Sequence, residues 1–247
     1  MTAYAPLMAA ALAAAALLGG CAGSAPSATP AAASAPAATA TAALDVYLVR
    51  HGQTDWNLQK RLQGGTDNPL NATGQQQARE LAGKLAGVKF DHIYSSALTR
   101  ARQTAGAFAG STPVTPMPAL NERSFGKFEG IFEDQRDAQR YAEFQQRGKV
   151  LGDALDGGES LQSQADRVKS AVQQILQRHR GSGGSIAIVA HGGVNPLALA
   201  ALLDMPVAEA VQRIKQGNDE VYLVRLLPGQ PKPAVWKLIT RDTLEQL

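Results

Sequence analysis

Two short apolar runs, far apart in the chain, end in the same way. Val46-Tyr47-Leu48-Val49 leads into Arg50-His51-Gly52, and Ile186-Ala187-Ile188-Val189-Ala190 leads into His191-Gly192-Gly193. Short runs rich in β-branched residues read as buried strands. In an open α/β sheet, ligands gather beyond the carboxyl ends of the strands. A histidine at that point on two strands sets two imidazoles facing one pocket, provided the strands are neighbours. The glycines let the backbone turn sharply or approach a ligand closely.

The segments between these runs alternate. Residues 74–87 read as a helix with Ala78, Leu81 and Leu85 on one face, and 92–95 as a short strand. A helix over 99–109 follows, and Val114 starts a weak strand. Residues 131–147 read as a polar helix lying over the surface near the site. The helix over 160–178 is clearer, because Leu161, Ala165, Val168, Val172, Ile175 and Leu176 repeat at helical spacing. A helix follows Gly193, and 220–227 and 234–240 read as late strands around a Pro228-Gly229 turn. This alternation predicts a three-layer α/β/α sandwich, a mostly parallel central sheet with helices on both faces.

The domain so defined covers residues 44–247. Ahead of it, Leu7 to Leu18 is an alanine-rich apolar run of signal-peptide length, too short for a good membrane span. Residues 1–20 therefore read as a signal peptide, although they contain no Lys or Arg to form a basic n-region. Leu18-Gly19-Gly20-Cys21 resembles a bacterial lipobox, in which the cysteine is lipidated and becomes the mature N-terminus. Cys21 is the only cysteine, so no intramolecular disulfide can form. Residues 21–43, almost all Ala, Ser, Pro, Thr and Gly after the cysteine, read as a tether. The expected location is a bacterial membrane, anchored by lipid in the bilayer. Ala22 after the cysteine resembles the outer-membrane sorting pattern, with the domain facing the periplasm.

The net charge of +3 is modest, aromatic residues make up 5%, and no long basic run occurs, which argues against nucleic-acid binding. No His-Glu-x-x-His or Cys/His spacing occurs, so no metal and no cofactor are expected. Oligomeric state is not legible. His92 and His179 carry no motif; His179 ends a helix beside Arg178 and Arg180, a favourable place for a cation.

The motif set resembles the histidine phosphatase superfamily, in its phosphoglycerate-mutase-like branch. Arg50-His51-Gly52, Trp56-Asn57 and Arg61-Leu62-Gln63-Gly64 match its opening signature. Asn68-Pro69-Leu70, Thr73-Gly74, Gln77-Ala78 and the run from Ser95 to Ala105 continue it. Leu120-Asn121-Glu122, Gly126, Glu129-Gly130, Gly157-Gly158-Glu159-Ser160 and Ala190-His191-Gly192 complete it. The resemblance spans the chain from about Leu44 onward.

That resemblance implies a phosphate pocket formed by Arg50, His51, Asn57, Arg100 and His191. Phosphoryl transfer needs a nucleophile, cations on the equatorial oxygens and a proton for the leaving group. His51 is the candidate nucleophile, and neighbouring cations help keep its imidazole neutral. Arg50 and Arg100 suit the clamp, since planar guanidinium matches phosphate oxygens bidentately. His191, if protonated, donates to the transferring group, and Asn57 offers a neutral donor. Glu122 is the candidate general acid. Gln63, Gly64 and Gly192, inside the motif blocks, join Arg50, Asn57 and Arg100 as substrate-contact candidates. Glu129 and Glu159 read as structural or rim residues, and Trp56 as packing.

The implied function is a phosphomonoesterase acting on small phosphorylated substrates. A phosphoglycerate mutase shares the chemistry, but the family's mutases carry a long insertion after the acid with an adjacent arginine pair. Here Gly158 follows Glu122 closely and no Arg-Arg occurs. A non-catalytic phospho-ligand-binding lipoprotein is the rival from another class; it predicts loss of a chemical residue, and none is lost. The segment from Ile131 to Asp156 is expected to line the approach, with Arg136, Arg140, Arg147 and Lys149 favouring an anionic molecule.

Overall fold

Alternation along the first strand divides the core in two. In β1 (Leu44–Arg50), Val46 and Leu48 belong to one hydrophobic cluster, and Tyr47 and Val49 to another on the opposite face. The structure is a computed structural model that describes residues 42–218 and 220–246. The signal segment, Cys21 and the tether as far as residue 41 lie outside the described residues.

After β1 come α1 (Asp55–Leu58), α2 (Ala72–Lys84), β2 (His92–Ser96), α3 (Thr99–Ala109), β3 (Val114–Met117), α4 (Ala138–Arg147) and α5 (Leu161–Arg178). Then follow β4 (Gly184–Ala190), α6 (Val194–Leu203), α7 (Val207–Arg213), β5 (Val221–Leu226), β6 (Ala234–Thr240) and β7 (Thr243–Gln246). The strands form one 7-stranded sheet in the order β3-β2-β4-β1-β5-β6-β7. From β3 to β1 every pairing is parallel, and from β1 to β7 every pairing is antiparallel. The α/β layering is as expected from the sequence. Its parallel character belongs to the half that carries the histidines, and the whole sheet is mixed.

α5 and α6 cover one face through Val168, Val172, Ile175, Val194 and Leu197, and α2 and α3 cover the other through Leu81, Leu85, Ala101 and Ala105. Ile186, Ile188 and Val189 of β4 are completely buried. Each such side chain contributes about 1.5–3 kcal/mol of apolar transfer free energy. This burial sets the register of the strand that delivers His191, because a one-residue slip would turn its apolar set to the wrong face.

Helix starts follow their caps. The Asn71 side chain accepts from Gly74 N, so α2 begins two residues before the expected 74. Ser160 caps α5 by accepting from Ser163 N. The helix expected over 131–147 forms only from Ala138. Ile131 is instead buried with Leu62, Phe128 and Leu155 in a small third cluster, and a tight turn occupies Gln135–Asp137. α7 and β7 were not expected. β7 is exposed along its length and pairs only with β6, so its residues carry no apolar alternation to read.

Among the described residues, no helix is long and apolar enough to cross a membrane. His179 is not the helix-end cation expected. Burial lowers its pKa, Arg178 lowers it further against Asp91, and its Nε2 meets Tyr94 Oη at 3.0 Å.

Candidate active site

The ladder between β1 and β4 pairs Arg50 with Ala190. The next residue on each strand is a histidine, so His51 and His191 leave the sheet side by side. Their ring centroids stand 5.0 Å apart. His51 is 3% exposed and His191 is fully buried.

His51 Nδ1 lies 2.7 Å from the Gly52 carbonyl oxygen. A carbonyl only accepts, so Nδ1 carries the hydrogen and Nε2 keeps its lone pair. Burial, then Arg100, then Arg50, push the His51 pKa well below the usual imidazole range, against the opposing Gly52 bond. The ring is therefore neutral, in the tautomer a nucleophile needs. The loop that holds it is tied on two sides. Thr104 Oγ1 accepts from Gly52 N at 3.1 Å, and Asn218 Nδ2 donates to the His51 carbonyl at 2.7 Å.

His191 Nε2 meets Ser96 Oγ at 2.8 Å. Ser96 already donates its hydroxyl hydrogen to Asn121 Oδ1 at 2.9 Å, so Nε2 is the donor to Ser96. That leaves Nδ1 unprotonated in the neutral ring, buried and with no partner among the described residues. Burial, Arg100, His51 and Arg50 lower its pKa well below the ordinary value. His191 is thus neutral here, so the donor role expected of it if protonated needs a proton taken up with substrate.

Arg100, 1% exposed, donates from Nη1 to Thr66 O at 2.7 Å and from Nη2 to Gly64 O at 2.9 Å. Arg50 Nη1 donates to the Gln216 carbonyl, and Gly192 backs its guanidinium. The Nε atoms of both arginines are buried with no partner among the described residues. Buried donors are rarely left so. Together with the unprotonated His191 Nδ1, they form a polar lining suited to an oxyanion once that nitrogen takes up a proton. For both arginines burial is the largest influence on pKa, and Glu122 is the strongest opposing charge.

Glu122 sits in the loop after β3. Its Oε1 accepts from Arg123 N and Gln164 Nε2, both at 2.9 Å, and its Oε2 accepts from Gly193 N at 2.9 Å. Oε2 therefore has the spare lone pair that can carry an exchangeable proton. Gly193 must be glycine for this approach, since a Cβ there would lie 2.5 Å from Glu122 Oε1.

Other expected contacts play supporting parts. Asn57 Oδ1 accepts from Thr54 N at 3.2 Å in a capping box that starts α1, so its carbonyl end is committed to the fold. Gln63 is 7% exposed, and its Oε1 accepts from Asn68 Nδ2 only at a long 3.4 Å. Gly64, at φ 53°, gives its carbonyl to Arg100; a Cβ there would lie 2.5 Å from Glu129 Oε1. Glu129 knits that loop down, accepting from Gly65 N at 2.8 Å and Phe125 N at 2.9 Å. Glu159 pairs bidentately with Arg167, both bonds 2.7 Å. Trp56 lies under Arg61 at 4.4 Å, as packing.

The expectation for the segment from Ile131 to Asp156 needs correction. Arg136 binds Asp134 and stacks on Phe132, and Arg140 donates to the Lys127 carbonyl. Arg147 binds Glu143, Asp153 and Asp156. Arg136 and Arg147 thus hold the segment together and offer little charge to an incoming anion, and Arg140 is tied to a carbonyl.

Ser96, Asn121, Gln164, Gln216 and Asn218 were missed in the sequence. Gln164 had a usable signal, a polar residue at helical spacing between Leu161 and Val168 on the apolar stripe of α5. Gln216 and Asn218 had none. They reach the site because β5 runs antiparallel to β1 and so starts where β1 ends, with Val221 opposite Val49.

Two strand-end histidines, two buried guanidiniums and one held carboxylate are the groups that phosphoryl transfer needs, set on an α/β sheet. Residues 46–239 match the model of the histidine phosphatase superfamily (branch 1), and the chain belongs to that family of enzymes. It is 35% identical over 194 residues to phosphoglycerate mutase-like protein 4 of Arabidopsis thaliana, covering 75% of this chain and 80% of that one. Among solved structures, the alpha-ribazole phosphatase of Shigella flexneri superposes with a TM-score of 0.68 at 29% identity, covering 80% of this chain and 96% of that one. The mycobacterial glucosyl-3-phosphoglycerate phosphatase gives a TM-score of 0.67 at 30% identity, covering 74% and 90%.

Proposed function

We propose that the chain is a phosphomonoesterase that hydrolyses small phosphate esters through a phosphohistidine on His51. The observation that carries this is the His51 Nδ1 bond to the Gly52 carbonyl, which leaves Nε2 free between Arg50, Arg100 and His191. Nε2 attacks phosphorus, and the bond from phosphorus to the alcohol oxygen breaks. Glu122 gives its proton to that oxygen, then takes one from the water that attacks the phosphohistidine. The second displacement releases inorganic phosphate and restores the neutral imidazole. Arg50 and Arg100 hold the equatorial oxygens. A bound phosphate dianion offsets the two guanidiniums and favours a proton on His191 Nδ1, which then donates to the growing charge.

Mutase-type transfer uses the same first step, and the name of the Arabidopsis relative keeps it in view. The phosphatase reading is favoured by the short stretch between Glu122 and Gly158, which lacks the long insertion and adjacent arginine pair of the family's mutases. A non-catalytic binder is disfavoured because every reacting group is in place. The test is a panel of phosphate esters, with p-nitrophenyl phosphate and 3-phosphoglycerate among them. Release of inorganic phosphate supports the reading; isomerisation of 3-phosphoglycerate without net release replaces it with the mutase.

The location belongs to the same proposal. Cleavage before Cys21 and lipidation of its thiol would anchor the domain to a bacterial membrane, on the outer membrane facing the periplasm, at the end of the tether to residue 43. Support comes from the Leu18-Gly19-Gly20-Cys21 run and the apolar segment before it.

A further inference from the structure

Arg136 and Arg147 are paired with carboxylates of their own segment, yet Lys215, just after α7, has no ion pair among the described residues. A cavity of about 430 Å³ opens on the α6–α7 side. Arg50 and Gly193 form its inner wall, Pro196, Val211 and Ile214 line it with apolar surface, and Lys215 stands at its rim. The Gly193 amide on that wall donates to Glu122 Oε2 at 2.9 Å, so the cavity lies beside the residue that holds the candidate acid. Its volume lies toward the low end of the roughly 300–1,000 Å³ common for small-molecule sites.

Lys215 is well placed to act on what fills that space. Its carbonyl accepts from Tyr222 Oη at 2.9 Å, which fixes the backbone below the side chain. Its Nζ donates to the Val211 carbonyl at 2.9 Å. An ammonium has three donors, and among the described residues the Val211 carbonyl takes one, which leaves two for a ligand. A second hollow of about 300 Å³ continues past Val211 and Lys215 to Leu151 and Lys149. The two hollows, joined at Val211 and Lys215, thus have apolar walls and carry two cations.

We propose that this cavity is the leaving-group subsite. It takes phosphate monoesters whose alcohol has an apolar body and carries an anionic group, which Lys215 grips. This rests on the phosphomonoesterase reading above. A purely polar alcohol would leave Pro196, Val211 and Ile214 against water or against groups they cannot pair with. A neutral apolar alcohol would leave the ammonium unused.

Two esters of the same shape separate charge from size: 4-carboxyphenyl phosphate and 4-carbamoylphenyl phosphate. The wild-type protein should prefer the charged ester in kcat/KM, through KM. Lys215→Met should cut that preference by about threefold to fivefold, the scale of one solvent-exposed ion pair, and Lys215→Arg should restore it. The apolar body is read from trans-4-carboxycyclohexyl phosphate against 3-phosphoglycerate, both carboxylated alkyl esters; the cyclohexyl ester should have the lower KM. Equal turnover of the two aryl esters, or a preference that Lys215→Met leaves intact, overturns the Lys215 assignment while leaving the phosphomonoesterase standing. An equal or lower KM for 3-phosphoglycerate overturns the apolar-body assignment in the same way. Turnover of none of them by the wild-type protein overturns both this proposal and the function it rests on.

Discussion

His51 and His191 stand 5.0 Å apart because Arg50 lies opposite Ala190 in the β1–β4 ladder. The register of two buried strands therefore sets the distance between the two rings. The ring-to-ring geometry is a property of the core, and the loops only tune it. Core packing, helix N-caps and the Gly193–Glu122 contact all act on the chemistry through that frame.

The first prediction concerns pH and stability. Both histidines are buried with pKa values pushed well below the ordinary value of about 6.5. Below that pH the unfolded chain takes up protons that the folded chain refuses. Stability is fully present above about pH 6.5 and is lost as pH falls toward the depressed folded values, by up to roughly 1.4 kcal/mol per histidine per pH unit. Denaturant midpoints between pH 7.5 and pH 5 should show this slope, above the range where most carboxylates protonate. A His51→Asn/His191→Asn double variant should be flatter; an identical slope in the variant contradicts the account.

The second concerns the acid. Glu122→Gln keeps the shape of the side chain but loses the transferable proton. Turnover of alkyl phosphates should fall by about 10²–10⁴-fold, and turnover of aryl phosphates by much less, because a phenolate leaves without much protonation. Equal losses on both would remove Glu122 as the proton donor.

Gly193→Ala tests how closely the acid must be held. The backbone at φ −90°, ψ −22° accepts alanine without strain. The new Cβ would nevertheless fall 2.5 Å from Glu122 Oε1 and push the carboxylate aside. A displacement of about 1 Å can cost on the order of 10²-fold in rate, so kcat for alkyl esters should drop by about that much with the circular dichroism unchanged. Full activity would show that the carboxylate position tolerates the shift.

The anchor is tested by Cys21→Ser. The wild-type protein should partition with membranes and carry lipid, and the variant should appear in the soluble fraction. A wild-type chain that is already soluble and unmodified contradicts the proposed location.

Much of this was legible because the informative residues are local. Val46 to His51 and Ile186 to His191 announce buried strands and the groups at their ends within a few positions. α3 and β6 have the expected bounds, Thr99–Ala109 and Ala234–Thr240. Partners made by long-range pairing were hidden. Gln216 binds Arg50, Leu48 and Asn195 only because β5 returns antiparallel beside β1. Arg136, Arg140 and Arg147 looked like charge offered to a substrate, since nothing in their spacing shows that Asp134, the Lys127 carbonyl and Asp153 would take them up. Whether His191 carries a proton could not be read, because burial, the largest influence on its pKa, is invisible in a string of residues.

The central claim is that His51 Nε2 becomes covalently phosphorylated, and rapid quench with labelled phosphate ester tests it most directly. The account predicts a phosphoenzyme that is labile in acid and stable in base, absent from His51→Ala, and still formed by His191→Ala at a rate lower by about 10²–10³-fold. A His51→Ala protein that still acquires the label would contradict it.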